Sequence, residues 1–540
     1  MGIGLVRRAV EPVNRRAQVA RTLTIPAPIG GWDAQSPLAA MPLENAVILD
    51  NFIPRPGYVE LRRGSFLQAS ALAAGNVQSL LAWRGPSTDK LLACAGTSIY
   101  DVTATGTSNP TALYSSATSA AWEYTGFAND AGAFVIAVNG HDTPIKYDGS
   151  AVTTTAFTYT GVVSFDPTKL SLIMTHKRRL HMAERNSLRI WFASSVDAIA
   201  GPVGLLDLGP VFPKGGSLAC IGTTSLNYGT GLDDFAVYVS TKGQVAMYQG
   251  TDPSDATNWA LVGVYEVGYP MGARSLIKYG ADLAIITTSG VVPLSQAIRL
   301  DRSQDNAVAL TQKIQNAFQQ ATAAYPAGPG WQGLLYSAGA LAIFNIPSSP
   351  AVQYVQNVQT GAWCRFTGLD ASCWAVANGM PYYATGSTVY QWDIGADDFG
   401  AAITYDLKCA FFNFKSNGQK RFTLCRPLMQ AADWMTPALE IDVDYKETVP
   451  TATPIVVDVS TLDAVPRYDW STVQGIGYVG AVRMRLMLSA IGQTAIAVDS
   501  GDVDEMTTGD GFALVTQDPI PVVPFQLTSF DVVFQPGGLL

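Results

Sequence analysis

The sequence is poor in charge: Asp, Glu, Lys and Arg make up 14% of its 540 residues, against about 25% in typical soluble domains. So few ions suit a surface that is largely buried against other subunits. The residues that carry most side-chain chemistry are also scarce, with three His and six Cys in the whole chain. Cys94, Cys220, Cys364, Cys373, Cys409 and Cys425 include no C-x-x-C pair. That scatter fits neither a zinc site nor a dense disulfide framework, so these residues are expected to be reduced, buried and small apolar in character. His176 and His181 would point to opposite faces of one strand, which argues against a shared metal. Neither a metal nor a cofactor is expected.

Long apolar runs are missing too. The best stretches, Ala133 to Val138 and Leu283 to Ile286, are strand-sized, whereas a membrane-crossing helix needs about 20 apolar residues. The first residues carry Arg7, Arg8, Arg15, Arg16 and Arg21 against Glu11 but no apolar core, so they read as a mobile or partner-bound basic arm and not as a secretory signal. A net charge of −9 and a pI near 4.9 exclude a protein that grips nucleic acid through a basic surface, because such binding is driven by phosphate neutralisation. The sequence also lacks H-E-x-x-H, G-x-S-x-G, G-x-x-x-x-G-K-[ST] and a helix-opening G-x-G-x-x-G, and it is not expected to be an enzyme. The acid neighbours Asp233 and Asp234, Asp252 and Asp255, and Asp397 and Asp398 read as turn caps, although a propeller glycosidase would need such a pair about 5 to 10 Å apart. The acids Asp502, Asp504, Glu505 and Asp510 lack the Gly and Glu of a calcium loop. "HKRRLH", His176 to His181, reads as a solvated strand edge.

What the chain has in quantity is turns and short β-rich runs. Gly (50) and Pro (31) punctuate hairpins from about Asn76 to Ile394, each pairing two or three strands. Tyr100–Asp101, Tyr147–Asp148 and Trp392–Asp393 end three of these runs with an aromatic residue followed by Asp. Trp83, Trp122, Trp191, Trp259, Trp331, Trp363 and Trp392 recur as anchors between sheets. The economical arrangement is a β-propeller, which gives separate hairpins a common core and short edges; a sandwich or solenoid is the alternative. Leu310, Ile314, Phe318 and Ala321 keep the spacing of one helical face up to Pro326, which predicts an amphipathic helix inserted near 305–325. Beyond Ile394 the strands lengthen and alternate. Val482, Met484, Leu486 and Leu488 share one face, with Arg483 and Arg485 on the other, turned to water or a partner.

The expected fold is therefore mainly β: a β-propeller with an inserted helix plus a β-sandwich-like module. Four regions are assigned: a basic arm over 1–25, a segment over 26–75 that packs on or closes the β module, the propeller over 76–400, and an acidic sandwich-like platform or tip over 401–540. From Gln430 onward four cations face fifteen acids. This acidic module and the basic arm could meet head to tail between neighbouring copies.

Several phrases carry a resemblance, among them the stretches from Asn357 to Trp374 and from Tyr405 to Pro427 and two longer ones. The first of the longer pair runs through Leu43, Asn45, Ala46, Leu49, Asn51, Phe52, Pro54, Gly57, Val59, Arg62 and Gly64. The second includes Gly243, Gly250, Asp252, Pro253, Trp259, Gly263 and Gly290. All are similar to the tail nozzle, or tail tubular protein B, family of short-tailed bacteriophages, and the likeness reaches from about Pro26 to Gln430. Physically these positions read as structural: glycines at turns, a proline that presets a turn, and a tryptophan that fills a blade contact.

The resemblance implies a virion structural protein, assembled in the host bacterial cytoplasm. It would form a homo-hexameric ring below the portal and adaptor, in the head-to-tail connector complex, with tail fibre, spike or needle proteins as further partners. Double-stranded DNA would pass through its channel during genome ejection without specific binding. The Gly/Pro-rich stretch with Gly201, Pro202, Leu205, Leu206, Pro210, Phe212 and Pro213 is the candidate channel-gate loop. The alternative is a propeller-based receptor-binding or glycan-cleaving virion protein.

Overall fold

The computed structural model describes residues 19–72, 75–227, 232–298, 309–432, 435, 437–446, 455–458, 464–467, 470–489 and 525–536. Residues 1–18 of the basic arm, 305–308 of the expected helix, and the acids from Asp502 to Asp510 lie outside them.

Seven small antiparallel sheets follow one another along the chain and close into a ring, with each inner strand lying against the next. The inner strands are Val77–Arg84, Glu123–Asn129, Leu170–His176, Leu218–Asn227, Leu276–Tyr279, Gln332–Tyr336 and Cys373–Ala377, and they define blades 1 to 7. Cys373–Ala377 packs back on Val77–Arg84, so the circle is complete. This is a β-propeller. Its cores lie between blades: Trp122 and Leu81 fill the seam of blades 1 and 2, and Trp191 that of blades 2 and 3. Tyr100, Tyr147 and Trp392, the repeated aromatic positions, end the third strands of blades 1, 2 and 7 and are all buried.

Blade 7 is completed from the far end of the chain. Its outer strand is Ser65–Ser70, paired antiparallel with Thr388–Trp392, so a segment near the N-terminus locks the last blade to the first. Among the described residues blade 5 has three strands. Beside it, a 3-10 turn at Gln312–Ile314 leads into a helix at Gln315–Ala324. Ile314, Phe318 and Ala321 are buried, with Phe318 against Trp331 and Tyr354, as the spacing predicts, but the helix is shorter than the expected 305–325: Leu310 lies in the turn that precedes it and is half-buried.

The second unit is a sandwich of two sheets. One joins Lys420–Ala432 and Phe525–Pro536 with Tyr58–Leu61, Phe52–Arg55 and Arg21–Pro26. The other runs Asn45–Asp50, Ile403–Cys409, Gly480–Ser489 and Ala438–Val443, and continues into blade 6 where Asp50 pairs in parallel with Arg365. Phe52, Tyr405, Phe414, Phe422, Met484, Leu486, Phe525 and Phe530 fill the space between them. The N-terminal strands thus serve the sandwich first and the propeller second. Arg483 and Arg485 do lie opposite Met484, but they do not face open water. Arg483 is 6% exposed and forms a paired contact with Asp406; Arg485 lies 3.5 Å from the same carboxylate. Beside them Lys408 pairs with Asp442 at 2.7 Å. A two-sided alternation in sequence cannot tell a solvated face from one laced by ion pairs.

The two units meet at Arg62, whose side chain is fully buried. Its guanidinium donates to Asn51 Oδ1 (2.8 Å), to the Arg63 and Thr367 carbonyls, and to both Asp398 oxygens (3.0 and 2.6 Å). The Tyr405 hydroxyl donates to the Arg62 carbonyl. Asn51, at φ 62, donates to Thr367 Oγ1 and the Thr404 carbonyl. Gly64 has no room for a side chain, since a Cβ there would sit 1.8 Å from the Asp397 carbonyl oxygen. Arg62→Leu is expected to lower stability by about 3–5 kcal/mol, the cost of stranding a buried carboxylate, while adding Asp398→Leu recovers much of it. Chemical denaturation of the three variants measures both.

Candidate functional site

The second family-like phrase is brought together with "HKRRLH" in the seam between blades 3 and 4. Lys177 and Arg178 take φ 42 and 65, the left-handed conformation of a two-residue hairpin turn. His176 and Arg179 therefore pair across the hairpin between Leu170–His176 and Arg179–Glu184. The expectation of a solvated edge is corrected: His176, Arg179 and His181 are 1%, 4% and 0% exposed. So is the expectation of opposed histidines, because the two lie on adjacent strands with ring centroids 6.0 Å apart. A one-strand reading of the spacing missed the turn. Three consecutive cations, Lys177 to Arg179, between apolar β runs were the available signal.

Trp259 stacks on His181 at 5.6 Å and on Tyr248 at 5.4 Å. His176 Nδ1 lies 3.0 Å from Thr223 Oγ1, and its Nε2 lies 3.2 Å from the Gly250 carbonyl. His181 Nδ1 lies 2.9 Å from the Tyr238 hydroxyl. Gly250, at φ +136, leaves no space for a Cβ, which would fall 1.8 Å from the Asn258 carbonyl oxygen. Arg179 donates to the Ala193, Ser194 and Thr251 carbonyls and reaches Asp252 at 3.2 Å. Asp252 also caps the turn through Ser254, and Pro253 lies within that turn. Gly243 stands in the preceding turn at φ 74, Gly263 within the outer strand Trp259–Glu266, and Gly290 opens the outer strand of blade 5. Each residue of the phrase thus shapes a turn or a seam.

Burial lowers the pKa of His176 and drives that of His181 well below the usual histidine value, with the neighbouring His176 and Arg179 charges adding to it. His181 Nε2 and the Trp259 indole N–H are buried without a hydrogen-bond partner among the described residues, so a proton on His181 finds no acceptor among them.

A second constellation lies on the propeller axis. Arg274, just before the inner strand of blade 5, crosses to the opposite side of the ring. It donates to Glu123 at 2.8 Å, the Gln78 carbonyl at 2.9 Å, Ser79 Oγ at 2.6 Å and the Trp122 carbonyl at 3.2 Å. Its side chain is 9% exposed. Five donors in a fixed fork suit this bridging of two inner-strand starts. Around the inner strands of blades 7, 1 and 2, a cavity of about 400 Å³ is lined by Ala82, Arg84, Tyr124, Gly126, Phe134 and Val376. Sequence reasoning gave no sign of Arg274, because its partners lie some 150 to 196 residues away.

The paired acids occupy turns and ion pairs. Asp233 accepts from Lys177 and Gln249, Asp234 from Ser225, Asp255 from Thr257 and Asn258, Asp397 from the Gly400 amide, and Asp398 from Arg62 and Ser65. The six cysteines are buried and unbridged. Burial raises their thiols, Cys373 to about 11 and Cys409 to about 12.

The candidate gate stretch is only in part a loop, which corrects that expectation for its first half. Gly201, Pro202, Leu205 and Leu206 lie in Gly201–Asp207, the fourth strand of blade 3, paired with Arg189–Ala193. Pro210, Phe212 and Pro213 follow in the link to blade 4, where Phe212 is 1% exposed within the seam core. The Gly and Pro content suggested mobility, but strand pairing and the burial of Phe212 hold the segment.

No protein-family model matches the chain, and no curated protein does. Among solved structures it is similar to the β-propeller domain of Myceliophteria thermophila Cps50 (Swd1), at 11% identity and TM-score 0.35 over 59% of this chain and 99% of that domain. A chain of the mitotic checkpoint complex gives 10% identity and TM-score 0.32, over 66% of this chain and 98% of that one. BBS1N, in complex with ARL6DN, gives 12% and 0.30, over 45% and 75%. Scores this low carry no argument, and the propeller rests on the strand pairing described above.

Two outcomes follow for these constellations. The unfolded chain binds protons at His176 and His181 near the usual value of about 6.5 while the folded seam does not, so stability is full above that pH and falls below it. The slope is up to about 1.4 kcal/mol per pH unit per histidine. Thermal melts from pH 7.5 to 5 should show this fall, and His181→Phe should flatten it. Arg274→Ala, which leaves Glu123 without its partner, should lower the melting temperature by several degrees, and Glu123→Gln less, since the amide oxygen can still accept a hydrogen bond from the Arg274 guanidinium.

Proposed function

We propose that the chain is a structural subunit of the tail nozzle of a short-tailed bacteriophage, copies of which form a ring below the portal and adaptor. The observation that supports this reading most is where the family-like residues fall. Asn51, Phe52, Arg62 and Gly64 build the joint of sandwich and propeller, and Gly250, Asp252 and Trp259 build the seam of blades 3 and 4. The residues that carry the resemblance act here as structure, as they would in a virion structural subunit.

The axis adds a constraint. With Arg274 bridging it to Glu123 and Ser79, the propeller of one copy offers no open tube for a duplex, so the DNA path is the lumen between copies. A ring needs a heterologous interface that closes on itself. A lumen wall of neutral or acidic side chains would let phosphates pass without being held, in keeping with the net charge of −9.

Light scattering and negative-stain electron microscopy of the purified protein, alone and with portal and adaptor, test this reading. A hollow ring, commonly six-fold, is expected. A monomer that cleaves bacterial polysaccharide, or an assembled ring with a continuous Lys/Arg girdle at its narrowest point, would overturn it.

A further inference from the structure

The joint of sandwich and propeller also holds a cleft of about 510 Å³. It opens between the hairpin of Phe52–Arg55 and Tyr58–Leu61, the turn of Ala338 and Gly339 in blade 6, and the end of blade 7 at Asp393. Small-molecule sites measure about 300–1,000 Å³ and favour such interfaces between units of a fold. Asp393 belongs to the third of the aromatic–Asp pairs, and it behaves unlike the other two. Asp101 accepts from the Thr103 amide and Asp148 from the Ser150 and Ala151 amides, so each caps its own turn. Asp393, at φ 67, caps no turn among the described residues. Its Oδ2 accepts from the Tyr336 hydroxyl of blade 6 at 2.7 Å, and its Oδ1 lies 3.9 Å from Arg63 Nε, beyond hydrogen-bond reach.

Other polar groups that line the cleft keep free atoms as well. Arg55 Nε donates to Glu60 Oε1 at 2.7 Å, and Arg55 Nη1 donates to the Gly339 carbonyl. Among the described residues, Arg55 Nη2 and Glu60 Oε2 have no partner. Nor, among them, do the side-chain amides of Gln430 and Gln526 or, beyond its long contact with Asp393, the Arg63 guanidinium. The two glutamines stand opposite each other on paired strands. Ile53, Leu61 and Phe525 add apolar surface. Two guanidinium and two carboxylate groups balance in charge, so a simple anion or cation meets repulsion along with attraction. A hydroxyl donates and accepts at once, and it can therefore satisfy a guanidinium and a carboxylate together in charge-assisted hydrogen bonds.

We propose that this cleft binds a short neutral saccharide. The free atoms of Glu60, Asp393, Arg63, Gln430 and Gln526 hold its hydroxyls, and its C–H groups meet the apolar surface. The lining comes from one chain, so the site goes beyond the ring reading and does not depend on it.

Calorimetric titration and saturation-transfer NMR of the full-length protein test this with maltose, lactose, mannose and N-acetylglucosamine, and with sodium phosphate and glycine as charged comparisons. Saturable binding of at least one saccharide is expected, with neither phosphate nor glycine displacing it. Gln430→Ala/Gln526→Ala and Arg63→Ala alter exposed side chains, and each should weaken that binding about tenfold at an unchanged melting temperature. Asp393→Asn keeps an acceptor for Tyr336 and a residue that tolerates the left-handed backbone, and it should weaken binding too by removing a charged acceptor. No saturable binding of any of the four saccharides overturns the inference, as does binding that these variants leave unchanged. Preferential binding of phosphate or glycine also overturns it, since the cleft then serves charged ligands. A hollow ring that binds no saccharide leaves the ring reading standing, and saccharide binding by a protein that forms no ring with portal and adaptor is a failure of the ring reading alone.

Discussion

One guanidinium stands where the chain leaves the sandwich and enters the propeller. Arg62 is held by Asn51 from the sandwich side, by the Thr367 carbonyl at the end of blade 6, and by Asp398, which follows blade 7. A buried cation costs several kcal/mol unless its donors are taken, so the groups around it must all be in place together. This requirement couples three events far apart in sequence: completion of the sandwich by Phe52–Arg55 and Tyr58–Leu61, entry of Ser65–Ser70 into blade 7, and closure of the ring. Neither unit is finished without the same stretch of about twenty residues, and the two are joined by that stretch and by a shared sheet.

Closure of the ring is matched by closure of its axis. Arg274 ties the starts of the inner strands of blades 1 and 2 to blade 5, so the propeller acts as a solid block. For the proposed tail subunit, this moves the channel from the fold to the assembly. It also gives the scarcity of charge a meaning. Many of the ions present are spent on internal ties, such as Lys408 with Asp442 and Arg179 with Asp252, and in the proposed ring the weakly charged surface that remains would suit contacts between copies.

The strand-rich middle, the inserted helix and the buried tryptophans were legible in the sequence, because each depends on local periodicity. The face made by Ile314, Phe318 and Ala321 is written in steps of three and four, and the burial of Tyr100, Tyr147 and Trp392 in aromatic residues closing short β runs. The turn residues were harder. Lys177 and Arg178 form a tight hairpin without Gly or Asn, and reading them as part of a strand put His176 and His181 on opposite faces. Gly201 to Pro213 misled in the other direction, since Gly and Pro signal turns but say nothing of a partner strand that pins them.

By itself the sequence determined the class of structure: mainly β, rich in turns, with a helix near 305–325, which the structure narrows to Gln315–Ala324, and structural rather than reactive cysteines. The tertiary structure decided the number of blades, the sharing of the N-terminal strands, the bridge of Arg274 across the axis and the packed histidine seam. The physical reason is the same in each case. Side-chain alternation encodes which face of a strand is buried, whereas pairing between Ser65–Ser70 and Thr388–Trp392, or between Arg274 and Glu123, is selected by the free energy of the whole closed ring, which no local window contains.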